Sequence, residues 1–296
     1  MPTTTAMVER KTRSAGLPAW LNGVLGLLPY AVFVGIFLIV PILANLWLTF
    51  MVDGAFSTDP VVGLFEPSTL EAFLTTFNLS WITALLGGVL GLAVTWAIAT
   101  LERPAWLRTI TMSYSAVASQ LGGVALAFAF IATLGTQGLV TVALQALGVD
   151  ITGFFQLTGF SGLIVVYLYF QIPLMTVLML PAIGSIKQAW YEAATSLGAK
   201  PWHFVRDVVI PVLWPSIAGA LLLLFANAFA AYATAYALTG GSVNLVPILV
   251  GFNISGNVFV DENFAAALVT GMMVIILAVM GARFLLERKS NAWLQQ

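Results

Sequence analysis

Along this chain the apolar residues fall in long blocks with almost no alternation. Uncharged apolar stretches run from Leu25 to Phe50, Thr76 to Thr100, Ser113 to Leu134, Gly159 to Ile186, Val212 to Leu238 and Phe264 to Arg283. Each is long enough to cross a hydrocarbon core about 30 Å thick as a helix, which takes roughly 20 residues. No Asp, Glu, Lys, Arg or His lies within their apolar cores, as insertion demands when one charge at a helix centre costs about 2.5–3.5 kcal/mol. Period-two alternation is absent, and the blocks are too long for barrel strands of about 9–11 residues. The pattern predicts an all-α integral membrane protein with six transmembrane helices.

The first block follows a basic segment, Arg10, Lys11 and Arg13, and so invites a signal-peptide reading. A signal core is only about 7–15 residues. The stretch "LGLLPYAVFVGIFLIVPILANLWLTF" is much longer and has no A-x-A cleavage pattern, so it reads as a retained helix. Pro29 and Pro41 are expected to kink it, which a bilayer tolerates because neighbouring groups satisfy the freed carbonyls.

Composition supports this class: 60% of residues are hydrophobic and 8% charged, against about 25% charged in soluble domains. The net charge of -1 carries no nucleic-acid footprint, but the charges are sorted. All 11 basic residues lie in the amino-terminal tail (Arg10, Lys11, Arg13), the link after the second block (Arg103, Arg108), the link after the fourth (Lys187, Lys200, Arg206) and the carboxyl end (Arg283, Arg288, Lys289). The alternate links carry only acids: Asp53, Asp59, Glu66, Glu71, Asp150, Asp261 and Glu262. By the positive-inside rule both termini and the basic links are cytoplasmic. The expected organisation is a cytoplasmic tail over residues 1–24, a membrane domain over 25–286 and a cytoplasmic tail over 287–296, multi-pass in the inner (plasma) membrane. There is no cysteine, which removes disulfides and thiolate chemistry together.

The largest basic link is "KQAWYEAATSLGAKPWHFVRDVVIP", residues 187–211. It reads as two short helices: a good helix former around Glu192, ended by Gly198 and Pro201, then a second that starts at Pro201 and re-enters the membrane. Ala193, Ala194 and Ala199 are small enough to let another backbone approach. The plain alternative is an amphipathic loop lying on the membrane surface. His203 has no second His or acid cluster near it in sequence and reads as a loop residue rather than a metal ligand.

Glu192-Ala193-Ala194, three residues, Gly198, nine residues, then Val208-Val209-Ile210-Pro211 resembles the EAA loop of binding-protein-dependent ABC importer permeases of type I. The family pattern ends I-x-L-P; here Val208 and Ile210 are mild aliphatic replacements. The resemblance runs from about the second to the sixth block. It implies the type I importer permease fold and a coupling helix that docks into a cytoplasmic ABC ATPase dimer. In that reading Glu192 makes a polar contact, Ala193, Ala194 and Ala199 permit close approach, Gly198 allows the bend, and Pro211 closes the motif. It further implies a second permease subunit, related or identical, and an extracytoplasmic solute-binding protein. The chain has no G-x-x-x-x-G-K-[ST] phosphate loop, so no cofactor is expected in it; ATP and Mg belong to the partner ATPase. The "SLGA" form after EAA is most similar to the polyamine group, which is also like permeases for ferric iron, thiamine and phosphonates; sugar permeases tend to carry Asp before that Gly. One departure is that no proline occurs between Pro104 and Pro173, where related chains often have one near the start of the third span.

Polar residues inside the blocks are the candidates for a solute path. Tyr167 and Gln171 lie four apart, as do Tyr232 and Tyr236, while Asn227 and Thr234 lie seven apart, so each pair shares a helical face. Gln120 and Asn78 complete the set. The alternative for each is interhelical glue, contributing about 0.6 kcal/mol per bond. Gly87 and Gly91 form a GxxxG that reads as close helix packing. No carboxylate pair, nucleophile triad or metal cluster occurs in the blocks, which argues against an embedded enzyme, and no buried acid or His relay supports a proton-driven carrier. A secondary carrier or channel with an accidental EAA string is the alternative of a different class.

Overall fold

A computed structural model of the chain describes residues 19–100, 104–151, 153, 155–255 and 260–293. Arg10, Lys11, Arg13 and Arg103 lie outside them. Six apolar helical stretches are long enough to cross a membrane: Leu27–Phe50, Pro67–Thr100, Gly123–Ala146, Phe160–Gly184, Pro201–Phe229 and Glu262–Leu285. They are called the first to sixth spans below. The helix of the first span begins at Ala19, and that of the sixth continues to Trp293.

The second and fourth spans form the centre of the bundle, and their glycines explain why. A Cβ on Gly87 would stand 2.6 Å from the Cβ of Gln171, and one on Gly91 would stand 2.5 Å from the Cβ of Met175. Only glycine permits that approach, so the GxxxG pair is packing. Buried hydroxyls on the second span turn inward on their own helix. Thr76 donates to Ala72 O at 2.7 Å, Ser80 to Thr76 O at 2.6 Å and Thr95 to Gly91 O at 2.6 Å. In lipid such internal satisfaction is obligatory. The sixth span holds the first through Asn45, which donates to Ala266 O at 3.1 Å and Thr270 Oγ1 at 3.0 Å.

Two prolines are accommodated by widened turns. Pro41 and Pro211 each follow a π-turn, Gly35–Ile39 and Val205–Val209, in which the N–H of Val40 reaches Gly35 O and that of Ile210 reaches Val205 O. A proline has no N–H and crowds the carbonyl four residues back; the extra residue per turn relieves both conflicts. The helix starting at Pro201 is therefore not a separate short piece: it continues through Pro211 to Phe229.

Two of the expected spans are interrupted. The third, read as continuous from Ser113 to Leu134, is a helix Ala105–Ala118, a break, a helix Gly123–Leu134, a turn and a helix Leu139–Ala146. The fifth, read as Val212 to Leu238, stops at Phe229 and restarts as Ala233–Thr239. A further apolar helix, Val246–Ser255, is too short to cross and was not foreseen. Asp261 caps the sixth span by accepting the N–H of Phe264 at 2.8 Å. After the first span, Met51–Val52 and Ala55–Phe56 form a two-stranded hairpin, turned by Asp53 and Gly54 at φ 51 and 81, as its Asp-Gly turn requires.

Candidate functional site

The EAA segment forms an exposed helix, Gln188–Ser196, with no buried residue. Its end is a Schellman closure. Gly198 at φ +81 donates to Thr195 O at 2.9 Å and Ala199 to Ala194 O at 3.0 Å, satisfying two of the last carbonyls. Glu192 and Ala193 face outward, whereas Ala194 is half-buried against Ile183, Phe204, Val209 and Leu213. The small size of Ala194 thus also serves packing within this chain. Tyr191 meets Phe204 edge-on, with ring centroids 5.3 Å apart, tying the exposed helix to the base of the fifth span. Leu197 is 88% exposed and Trp202 64%. Pro211 sits just inside the helix that follows the π-turn.

The breaks in the third and fifth spans face one another. Gly122 is extended and Gly123 has φ +71, a conformation glycine adopts freely. Gly122, at the cap position of the helix Gly123–Leu134, has no side chain with which to cap it. The cap comes instead from Thr234, whose Oγ1 accepts the Gly123 N–H at 2.6 Å. On the fifth span Ala230 and Ala231 donate to Ala226 O and Ala228 O, both at 3.2 Å, and the Tyr167 hydroxyl donates to Ala231 O at 3.1 Å. Between the breaks lies a cavity of about 310 Å³ lined by Gln120, Gly122, Phe170, Asn227, Ala230 and Thr234 among others. Phe170 is near the middle of the 25-residue fourth span, so the cavity lies near the membrane midplane. Irregular backbone at that depth is tolerated where it lines a cavity or is buried in protein.

A second cavity, of about 420 Å³, adjoins it at Ala230 and is lined by Tyr232, Pro247, Gly251 and Met272. Tyr232 lies across Gly251, where a Cβ would come within 2.7 Å of its Oη. Tyr232 stacks on Tyr236 at 5.5 Å, and Tyr236 meets Phe252 edge-on at 5.9 Å.

The residues proposed for a path therefore divide. Gln120 and Asn227 line the smaller cavity, Tyr232 lines the larger one, and Tyr236 stacks on Tyr232 without lining either. Asn227 and Thr234 do meet at one cavity, but across a break rather than along one helical face. Tyr167 and Gln171 are buried, and Gln171 Nε2 donates to Leu224 O at 3.0 Å. They hold the fourth span to the fifth instead of lining the opening. Asn78 is exposed on the second span and lines neither cavity. Gly122, Gly123, Ala230, Gly251 and Phe252 were not foreseen; the Gly-Gly pair inside an apolar block was the one available sign. Among the described residues no group of three or more His, Cys, Asp or Glu is placed to hold a metal.

Membrane-length helices, a polar break shared by two of them and an exposed helix at one end define a polytopic transport component. Residues 90–291 match the binding-protein-dependent transport system inner membrane component, and the chain belongs to that family, whose members are non-catalytic transport subunits of ABC importers. Over 114 residues it is 32% identical to the thiamine transport system permease protein ThiP of Escherichia coli, a match covering 38% of this chain and 21% of that protein. It is 26% identical to the spermidine/putrescine permease PotC of Haemophilus influenzae, over 45% of this chain and 51% of PotC. Both matches thus span well under two thirds of the relative. The fold is similar, at a TM-score of 0.71 and 21% identity, to a chain of a bacterial alginate ABC transporter solved with an alginate pentasaccharide-bound periplasmic protein, covering 91% of this chain and 94% of that one.

Proposed function

We propose that the chain is one half of the pore of an ATP-driven importer, with both termini in the cytoplasm. A second permease, identical or related, completes the pore. A cytoplasmic ABC ATPase dimer drives it through residues 187–211, and an extracytoplasmic binding protein delivers the solute. ATP and Mg act on the ATPase. The observation that carries this reading is the exposed helix Gln188–Ser196, followed by one helix from Pro201 to Phe229 that ends at the midplane cavity. At 1.5 Å per residue, those 29 residues reach about 43 Å, so displacement at the exposed helix is delivered to the break. Moving a two-state permease from 1:99 to 99:1 takes about 5.5 kcal/mol of differential interaction, which nucleotide-driven closure of the ATPase supplies. A polyamine-like solute is favoured by the "SLGA" string, with thiamine, phosphonate, ferric iron and sugar as alternatives; permeases for spermidine/putrescine, thiamine, sulfate and trehalose/maltose are all among the similar proteins.

The test is ATP-driven uptake by the complete importer reconstituted in vesicles. Ala193→Arg should insert normally, since an added charge in a basic link agrees with the topology, and should abolish uptake by placing an unpaired charge in the docking surface. Wild-type uptake by this variant would refute the coupling role.

A further inference from the structure

Gln171 stands at the middle of the fourth span and is fully buried, yet only half of its carboxamide is used. Its Nε2 donates to Leu224 O at 3.0 Å. That contact fixes which way the amide faces, since only the NH2 group can meet a carbonyl. The other atom, Oε1, is buried and has no hydrogen-bond partner among the described residues. At this depth neither headgroups nor bulk water are at hand, so an orphaned acceptor is strongly disfavoured.

The surroundings narrow the choice of donor. The second span approaches at Gly87, which offers no side chain; a Cβ there would stand 2.6 Å from that of Gln171. Thr83, one turn away on that span, gives its hydroxyl to Leu79 O at 2.8 Å, and Thr176 on the fourth span gives its own to Ile172 O at 3.0 Å. Trp81 carries a donor but lies six residues before Gly87, about 9 Å along the helix. On the fifth span, Phe225, Ala228 and Phe229 have no side-chain donor. Asn227 has one. It lies three residues beyond Leu224, on the same side of the helix, and the Leu224 carbonyl points toward that next turn. Asn227 lines the smaller cavity, and its carboxamide makes no hydrogen bond among the described residues. An unused donor and an unused acceptor thus stand within one helical turn of each other, just before the fifth span stops at Phe229.

We propose that Asn227 is a two-position latch: it faces the cavity in this structure, and in a second state it donates from Nδ2 to Gln171 Oε1, tying the last turn of the fifth span to the fourth. The two positions exclude each other. A solute that takes a hydrogen bond from Asn227 in the cavity withdraws it from Gln171, and so loosens the fifth span beside its break. Linkage makes the effect reciprocal: the latched state weakens solute binding at Asn227 by the same factor, about threefold for one bond between spans. The latch rests on the two carboxamides alone, whereas its link to a solute rests on the permease reading above.

The chain has no cysteine, so a single thiol reports the latch without solute or ATPase. Ala230→Cys, in the full chain reconstituted in vesicles, places that thiol at the break, in the cavity wall. Its rate of reaction with N-ethylmaleimide measures how freely the break opens. Gln171→Met, which removes the acceptor, should raise the rate about threefold when Asn227 is present. In an Asn227→Leu background the same substitution should change it by less than about 1.5-fold, because coupled residues fail to add. A Gln171 that acts only through Leu224 O would shift the rate equally in both backgrounds. That outcome, or no shift in either, would overturn the proposal. Should Gln171→Met fail to fold, or the thiol prove unreactive, solid-state NMR of the otherwise unmutated chain decides. A through-space signal between Asn227 Nδ2 and Gln171 Cδ, assigned by its loss in Asn227→Leu, supports the latch, and its absence sinks it. Absence of ATP-driven uptake by the complete importer, with the non-additive rates intact, would refute the permease reading and leave the latch standing; normal uptake with additive rates would do the reverse.

Discussion

The helix from Pro201 to Phe229 is anchored differently at its two ends. At the exposed end, the adjoining helix Gln188–Ser196 is closed by its own neighbours: Gly198 and Ala199 bond back to Thr195 and Ala194. At the inner end, the chain turns out of the helix where the Tyr167 hydroxyl holds Ala231 O from another span, and Thr234 just beyond caps the third span. The first closure is local, made within six residues of one another. The second consists of single hydrogen bonds between spans, each contributing about 0.6 kcal/mol in a membrane, and such bonds can be exchanged during a conformational change. On the coupling role proposed above, a helix with a firmly closed outer end and a lightly held inner end would convert a push at the surface into rearrangement at the inner break.

The contrast is broken most severely at the outer end. Gly198→Pro demands φ near −65° where the backbone has +81° and removes the N–H that bonds Thr195. A penalty of about 3 kcal/mol corresponds to an uptake loss of about 100-fold, with insertion unchanged; uptake within twofold of wild type would show that the closure is dispensable. At the inner end, Thr234→Val keeps shape but leaves the Gly123 N–H without its acceptor. It should destabilise the detergent-solubilised protein by about 1–2 kcal/mol in thermal unfolding, and Tyr167→Phe by about 0.6 kcal/mol. If both are neutral, the breaks are held by packing alone. The smallest effect is expected at Glu192→Ala, which removes a charged group from an exposed surface without a clash. Stability should stay within about 0.5 kcal/mol, so any reduction in coupling read from stimulated ATP hydrolysis reports docking rather than folding.

Lipid exacts a cost for each charge and each unsatisfied backbone group independently, so the number of spans and the approximate limits of the fourth and sixth could be read along the chain without knowing what touches what, whereas the helix of the second starts at Pro67, nine residues before the expected Thr76. The EAA loop was legible for a similar reason. Its helix, its left-handed glycine and its proline are near neighbours in sequence, and their roles follow from backbone geometry.

The midplane site obeys a different logic. Its defining bond joins residues 111 positions apart, and the fifth span breaks at Ala230-Ala231-Tyr232 with neither Gly nor Pro to announce it. Alanines there would continue a helix by propensity; contacts with the third and fourth spans stop them. The same contacts decide that Gln171 is buried glue while Asn227, equally polar and equally mid-span, faces a cavity. By itself the sequence determined a six-helix membrane component with an EAA loop, because those properties are summed residue by residue. Which polar groups surround the cavity depends on distances between spans, and only the tertiary structure decides those.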